Sequence, residues 1–188
     1  MKQYVDQLAV FDLDDTLYIG NSHFALLNEY FHTKCFTSIP IRLLGKFCPS
    51  LRMAICNWSY QRIPQSVRKG FTLPSRQEVM ELLHQKKKQG YKVVIVSNAP
   101  EDLLFAATQK FRLPALSAPF SGKAKVLQDH FEYRKLFVCT DNKTDLDLLY
   151  LADEAVLTCG VKAHKFFMSK LSNKNYQFID DWRKTIDE

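Results

Sequence analysis

The chain has 188 residues, of which 46% are hydrophobic and 24% charged, and its formal net charge is +6. This hydrophobic fraction supports a packed core of ordinary domain size and excludes an intrinsically disordered chain. No stretch of about 18 uncharged apolar residues is present, so the sequence predicts no membrane-spanning helix.

The five cysteines are irregularly spaced, and no two of them form a Cys-x-x-Cys motif. This pattern is typical neither of a disulfide framework nor of a zinc site, and it favours reduced thiols. Lys2 and Asp6 precede the first apolar run without a long apolar segment, so we expect no secretory signal. A cytoplasmic location is the resulting expectation.

The first apolar run, residues 8–11, leads directly into a group of acidic residues. Its sequence, Leu-Ala-Val-Phe, is typical of a buried strand in a parallel sheet. Asp12 and Asp14 alternate along an extended chain, so we expect their side chains to point to the same side. Ligands bind beyond the carboxyl ends of parallel strands, which makes this pair a candidate site, although an acidic turn without function has the same local sequence.

A basic segment follows, over residues 17–74. Its apolar spacing predicts a helix capped near Asn21 and two short helices within residues 39–60. Glu29 is the only acid from residue 17 to residue 76. The basic residues of this stretch are Lys34, Arg42, Lys46, Arg52, Arg62, Arg68, Lys69 and Arg76. Two interpretations stay open: a small helical core, or a surface that meets lipid or an apolar substrate.

The chain after this segment alternates between helical and strand patterns. Ser75 and Glu78 have the spacing of a capping box and predict a helix start. Residues 92–96, Lys-Val-Val-Ile-Val, form the clearest buried strand, and Ser97 and Asn98 follow it. A hydroxyl and an amide between a strand and a helix start suit phosphate binding.

Two lysines and two further carboxylates come next. Lys123 and Lys125 lie in a predicted helix, and either could face the site. The strand at residues 135–139 ends just before Asp141 and Asp145. Carboxylates from two different strands suit a hard cation such as Mg²⁺, with water and phosphate as its remaining ligands.

The order of the predicted elements defines the fold class. Further short strands are predicted at residues 155–158 and 176–179. Strands that alternate with helices indicate an α/β protein with a doubly wound, Rossmann-like parallel sheet.

Four polar clusters at successive strand ends resemble the motifs of the haloacid dehalogenase (HAD) superfamily. Residues 12–16, Asp-Leu-Asp-Asp-Thr, match the first motif, Asp-x-Asp-x-Thr. Ser97 matches the second motif, Lys123 the third, and residues 141–145 the fourth, in its Asp-x-x-x-Asp form.

The resemblance implies a role for each motif residue. Asp12 is expected to be the nucleophile and Asp14 the general acid and base. Mg²⁺ is expected to bind Asp12, the backbone carbonyl of Asp14 and Asp141, with Asp145 close by. The expected phosphate-binding residues are Ser97, Asn98 and Lys123.

The resemblance also implies a domain organisation. Residues 17–74 are expected to form a small inserted helical cap on a core domain made of residues 1–16 and 75–188. The layout is most similar to the phosphoserine-phosphatase-like branch. Thr140 and Asn142 depart from the Gly and Ser that often flank the first acid of the fourth motif.

The implied function is a Mg²⁺-dependent phosphatase that hydrolyses a phosphate monoester through an aspartyl-phosphate. The alternatives are a lipid-phosphate phosphatase acting at a membrane surface and a non-catalytic HAD-fold binding protein. A receiver-like signalling domain is disfavoured, because its phosphorylated Asp lies on a middle strand rather than the first.

The expected partner is a phosphorylated small molecule, with peripheral membrane contact through the basic cap as a further hypothesis. No recognition motif supports nucleic-acid binding. The five histidines lack metal-ligand spacing. Among them, His23 near the cap entrance is a candidate for substrate contact.

Overall fold

Six apolar segments of the computed structural model, which describes residues 2–180, form strands. The strands are β1 (Gln3–Phe11), β2 (Lys92–Ser97), β3 (Ala115–Ser117), β4 (Phe131–Thr140), β5 (Glu154–Cys159) and β6 (Tyr176–Asp180). They make one sheet in the order β3-β2-β1-β4-β5-β6, and every pair is parallel. The predicted doubly wound, Rossmann-like sheet is confirmed.

Helices connect and cover the strands. They are α1 (Ser22–Tyr30), α2 (Ile39–Phe47), α3 (Pro49–Gln61), α4 (Gln65–Gly70), α5 (Gln77–Lys88), α6 (Glu101–Phe111), α7 (Lys123–His130), α8 (Leu146–Leu151) and α9 (Val161–Lys170). Within residues 2–180, none of them is long and apolar enough to cross a membrane. Residues 1 and 181–188 of the expected core domain lie outside the described residues.

Residues 8–11, the last four of β1, are buried on both faces of the sheet, which explains their continuous apolar sequence. Ala9 and Phe11 enter one hydrophobic core, whereas Leu8 and Val10 enter the other. The first core also includes residues of the helical insertion, residues 17–74, such as Leu27. The insertion is therefore packed onto one face of the sheet.

The chain enters and leaves the insertion at one place. Tyr18 and Ser75 form an antiparallel bridge. The amide of Ile19 donates to the carbonyl of Pro74 at 2.9 Å, and that of Arg76 donates to Leu17 at 2.9 Å. These bonds hold the base of the insertion against the end of β1.

Two local predictions are wrong. Ser75 does not cap a helix, because it pairs with Tyr18; Arg76 occupies the N-cap of α5 and makes no side-chain capping bond. The sequence predicts no strand within residues 114–119, and this is wrong, because β3 lies there as a three-residue edge strand. A strand this short offers too few residues for a periodic signal.

The sheet topology locates a crevice. From β1 the chain continues through β2 to β3 on one side, and β4, β5 and β6 lie on the other. The order thus reverses between β1 and β4, and ligands of such sheets bind outside the carboxyl ends of the strands at the reversal. Asp12 follows β1 at this point, and its amide donates to the carbonyl of Cys139 at 2.9 Å.

Candidate active site

The two acids after β1 are oriented by a single irregular turn, Leu13–Leu17. Asp15 has φ of 57°, in the left-handed region, so the chain reverses immediately after Asp14. Leu13 and Leu17 are fully buried and anchor the turn in the core. As a result, Asp12 and Asp14 line the same cavity, as the sequence predicts.

Asp12 is 6% exposed, and neighbouring groups hold both of its carboxylate oxygens. Its Oδ1 accepts from the amide of Leu13 at 2.7 Å. Its Oδ2 lies 2.7 Å from Lys123 Nζ and 3.3 Å from the Thr140 hydroxyl oxygen. These contacts fix the orientation of the carboxylate.

Lys123 is 1% exposed and lies between two carboxylates. Its Nζ contacts Oδ2 of both Asp12 and Asp145 at 2.7 Å. Burial opposes protonation, but the charges of Asp12 and Asp145 raise the pKa of Lys123 above its ordinary value. Lys125 is exposed, so the structure brings Lys123, and not Lys125, to the predicted site.

Asp145 lies behind Asp12 rather than at the cavity surface. Its Oδ2 accepts from the Thr140 hydroxyl at 2.6 Å as well as from Lys123. Burial and the charge of Asp12 raise its pKa. Asp141 does line the cavity, and its Oδ1 accepts from the Thr16 hydroxyl at 3.4 Å. The two acids of the fourth motif therefore lie in different environments.

Asp14 has a different environment from Asp12. Its Oδ1 accepts from the amide of Ser22, the first residue of α1, at 2.9 Å. The pKa of Asp14 is raised to about 7, mainly by burial and to a smaller extent by the charges of Asp12 and Asp15, while hydrogen bonding to Ser22 opposes the rise. A carboxyl group with this pKa can donate and accept a proton near neutral pH.

Ser97 and Asn98 line the cavity from the end of β2. Ser97 is 2% exposed, and its hydroxyl oxygen accepts from the amide of Ala99 at 3.2 Å. Asn98 Nδ2 donates to the carbonyl of Ala118 at 2.6 Å. Ala99 and Pro100 also line the cavity, and α6 begins at the next residue.

The cavity has a volume of about 330 Å³ and lies between the sheet edge and the insertion. Residues that the sequence reasoning missed line it on the insertion side: Phe24 from α1, and Arg52 and Met53 from α3. Phe120 also lines it. Only the apolar spacing of α1 and α3 was visible in the sequence, and such spacing does not distinguish residues that face a core from residues that face a cavity.

His23, the predicted contact candidate, lines the cavity and is 5% exposed. Its ring stacks on Phe24 with centroids 5.6 Å apart and meets Tyr60 edge-on at 5.0 Å. The pKa of His23 is lowered to about 4, mainly by burial and to a smaller extent by the charge of Arg52, while a hydrogen bond with the backbone of Cys56 opposes the shift. The imidazole is therefore neutral at physiological pH.

The expected Mg²⁺ ligands fit a magnesium ion by their donor types. Within residues 2–180, no three His, Cys, Asp or Glu side chains are grouped to hold a metal. The expected set contains only two ligating side chains, Asp12 and Asp141, together with the Asp14 carbonyl, and all three residues line the cavity. Mg²⁺ usually binds one or two carboxylates and takes its other ligands from water and substrate phosphate.

The fold is similar to that of solved phosphoserine phosphatases. A phospho-aspartyl intermediate analogue of phosphoserine phosphatase has a TM-score of 0.67 at 15% identity, and the match covers 100% of this chain and 99% of that one. A HAD family hydrolase from Salmonella enterica serovar Typhi has a TM-score of 0.63 at 16% identity, with coverage of 93% and 68%. A dehalogenase has a TM-score of 0.56 at 15% identity, with coverage of 97% and 96%.

These neighbours define the class of fold. No family model matches the sequence, and no curated protein matches it. The similarity thus lies in the three-dimensional structure, at identities of 15–16% for these three chains. The chain shares its fold with solved phosphoserine phosphatases and with a HAD family hydrolase, in agreement with the fold that its motifs predict.

Replacing Lys123 tests the buried charge cluster. We expect Lys123→Met to lower the free energy of unfolding by about 3–5 kcal/mol, because two buried carboxylates lose their shared cation. Urea denaturation in the presence of EDTA measures this, since no metal can then replace the lost charge. Lys125→Met is the matched control and should change stability by less than about 0.5 kcal/mol. Equal effects of the two substitutions would contradict the arrangement.

The low pKa of His23 predicts a pH-dependent stability. Between pH 6.5 and about 4 the unfolded chain binds a proton that the folded chain does not, so stability falls as the pH is lowered through this window. The contribution is on the order of 3 kcal/mol. His23→Phe removes it, so the difference in unfolding free energy between wild type and variant should vary with pH below 6.5 and be constant above it. A difference independent of pH would refute the assignment.

Proposed function

We propose that this protein is a Mg²⁺-dependent phosphatase that hydrolyses a phosphate monoester through an aspartyl-phosphate intermediate. The observation that carries the proposal is the unequal pair of carboxylates in one cavity. Asp12 is held by the Lys123 ammonium, whereas burial raises the pKa of Asp14 to about 7. An ionised carboxylate suits nucleophilic attack, and a carboxyl group that titrates near neutrality suits proton transfer.

In the first step, a carboxylate oxygen of Asp12 forms a bond to phosphorus while the bond to the leaving oxygen breaks. Asp14 gives its proton to that oxygen, so the product leaves as a neutral alcohol. The contacts of Asp12 with Leu13 and Lys123 keep the nucleophile in place before substrate arrives. Such positioning lowers the entropic part of the barrier.

In the second step, water attacks the phosphorus of the aspartyl-phosphate. Asp14, now ionised, takes a proton from the water as the bond between phosphorus and the Asp12 oxygen breaks. Inorganic phosphate is released, and both carboxyl groups return to their initial protonation states. One residue thus acts as acid and then as base.

The phosphoryl group is proposed to bind Ser97, Asn98 and Lys123, which supply hydroxyl, amide and ammonium donors. Asp12, the Asp14 carbonyl and Asp141 would hold Mg²⁺, which would supply positive charge to the phosphoryl oxygens. Asp145 was expected near the metal. Its contacts with Lys123 and Thr140 favour a role in positioning the lysine.

The insertion, residues 17–74, is proposed to act as the cap, and residues 1–16 and 75–188 as the core. His23, Phe24, Arg52 and Met53 come from the insertion and line the cavity. We therefore infer that they contact the leaving group and select the substrate. A phosphorylated small molecule fits a cavity of about 330 Å³.

The other predicted functions are distinguished by these contacts. A non-catalytic binding protein is disfavoured, because it would gain nothing from holding the carboxylate of Asp145 directly behind that of Asp12, where like charges repel. A lipid phosphate is the second candidate substrate, because α3 both lines the cavity and exposes apolar side chains such as Leu51 and Trp58. No nucleic-acid partner is proposed, and a cytoplasmic location stays a prediction.

Asp12→Asn tests the nucleophile. We expect it to abolish Mg²⁺-dependent hydrolysis of an aryl phosphate, because a neutral amide cannot form the aspartyl-phosphate. EDTA should abolish the wild-type activity, and added Mg²⁺ should restore it. Asp129→Asn, at an exposed position of α7, is the control and should retain full activity. Full activity of Asp12→Asn, with circular dichroism showing a folded protein, would rule out the mechanism.

Asp14→Asn tests the general acid separately. An alkyl phosphate needs its leaving oxygen protonated, whereas a nitrophenyl phosphate has a stable leaving anion. We expect kcat/KM for the alkyl substrate to fall about 10²–10⁴-fold, and to fall much less for the aryl substrate when the first step is followed by phenolate release in stopped flow. Equal losses on both substrates would argue against proton donation by Asp14.

A further inference from the structure

Helix α2 has no buried residue, although it is rich in apolar side chains. Ile39, Leu43 and Phe47 are 72%, 49% and 77% exposed. They are four residues apart, so they lie along one face of the helix. A helix that leaves its large side chains in water lacks the partner that would normally cover it.

Helix α3 also exposes large apolar side chains to solvent. Leu51, Ile55 and Trp58 are 51%, 37% and 63% exposed, and their spacing of four and three residues places them on one face. The opposite face of α3 is buried through Cys56 and Tyr60. We call the six exposed side chains of the two helices the α2–α3 surface: Ile39, Leu43, Phe47, Leu51, Ile55 and Trp58.

The charges around the α2–α3 surface have one sign. Residues 30–77 contain no Asp or Glu. Arg42 and Lys46 are exposed on α2, and the guanidinium of the exposed Arg62 lies 3.0 Å from the centroid of the Trp58 ring. Basic residues beside exposed apolar and tryptophan side chains are the composition of interfacial membrane-binding helices.

The charge also discriminates between possible partners. A second copy of this chain would bring the same basic residues together without an acid in residues 30–77 to pair with them. An anionic bilayer satisfies both features, because its interface accepts apolar side chains and its headgroups attract Arg and Lys. The composition therefore favours lipid over self-association.

We propose that the α2–α3 surface docks onto an anionic lipid bilayer. Helix α3 also carries Arg52 and Met53, which line the cavity, so docking places the cap of the active site at the membrane. Docking depends on the surface alone and does not rest on the proposed hydrolysis. Action on a lipid-borne phosphate monoester would rest on both.

The test is co-sedimentation of the full chain with vesicles. One set contains phosphatidylcholine alone, and the other an equimolar mixture of phosphatidylcholine and phosphatidylglycerol. We expect binding to the mixed vesicles at low salt, weaker binding at high salt, and little binding to the neutral vesicles. The Asp12→Asn variant should bind as wild type does, so that a failure of the phosphatase mechanism leaves this result unchanged.

Two pairs of double variants separate the apolar and the charged contribution. Leu43→Ser with Phe47→Ser, and Arg42→Gln with Lys46→Gln, should each weaken binding on the order of tenfold or more. All four side chains are exposed, so folding should be retained, and thermal denaturation checks this.

The matched controls lie on α9, which carries comparably exposed residues. Val161→Ser with Met168→Ser, and Lys162→Gln with Lys165→Gln, should leave vesicle binding unchanged. Absence of binding to mixed vesicles at low salt would overturn the proposal, as would equal losses in the α2 and α9 variants. Self-association through this surface would also overturn it. The result would be that wild type binds no vesicles but self-associates in sedimentation velocity, and that Leu43→Ser with Phe47→Ser abolishes the self-association.

Discussion

Lys123 places one positive charge between two buried carboxylates, Asp12 and Asp145, and the site depends on this arrangement. Each acid alone would be costly at such burial, and together they would repel. The shared cation compensates both charges, and the Thr140 hydroxyl donates a hydrogen bond to Asp145. Asp12 follows β1, Lys123 is the first residue of α7, and Asp145 lies shortly after β4. The contacts of Lys123 therefore connect three elements at the edge of the sheet where the strand order reverses.

The insertion adds two surfaces with different chemistry to this edge. Its inner side places His23, Arg52 and other side chains in the wall of the cavity that Asp12 and Asp14 also line. Its outer side leaves Leu43, Phe47 and Trp58 in solvent. Helix α3, with 13 residues, contributes to both sides. A lipid bound at the outer side would therefore lie about one helix diameter from the cavity.

Most of the fold and the main motif residues could be predicted from local sequence. Apolar runs such as that ending at Phe11 define buried strands, and polar residues at their ends define the edge where a site forms. Predictions failed where long-range pairing overrides a local signal. Ser75 has capping-box spacing but pairs with Tyr18, and β3 is stabilised by its ladder with β2 rather than by its own sequence.

The sequence by itself determined the alternation of strands and helices, the order of the motifs, and the identity of Asp12 and Asp14 as candidates, because these depend on periodicity and spacing. Only the tertiary structure decided between Lys123 and Lys125, since residues two apart on a helix point to nearly opposite sides and packing selects which side faces the acids. It likewise set the raised pKa of Asp14 and the partners of Asp145, because burial and electrostatics depend on groups far away in the chain.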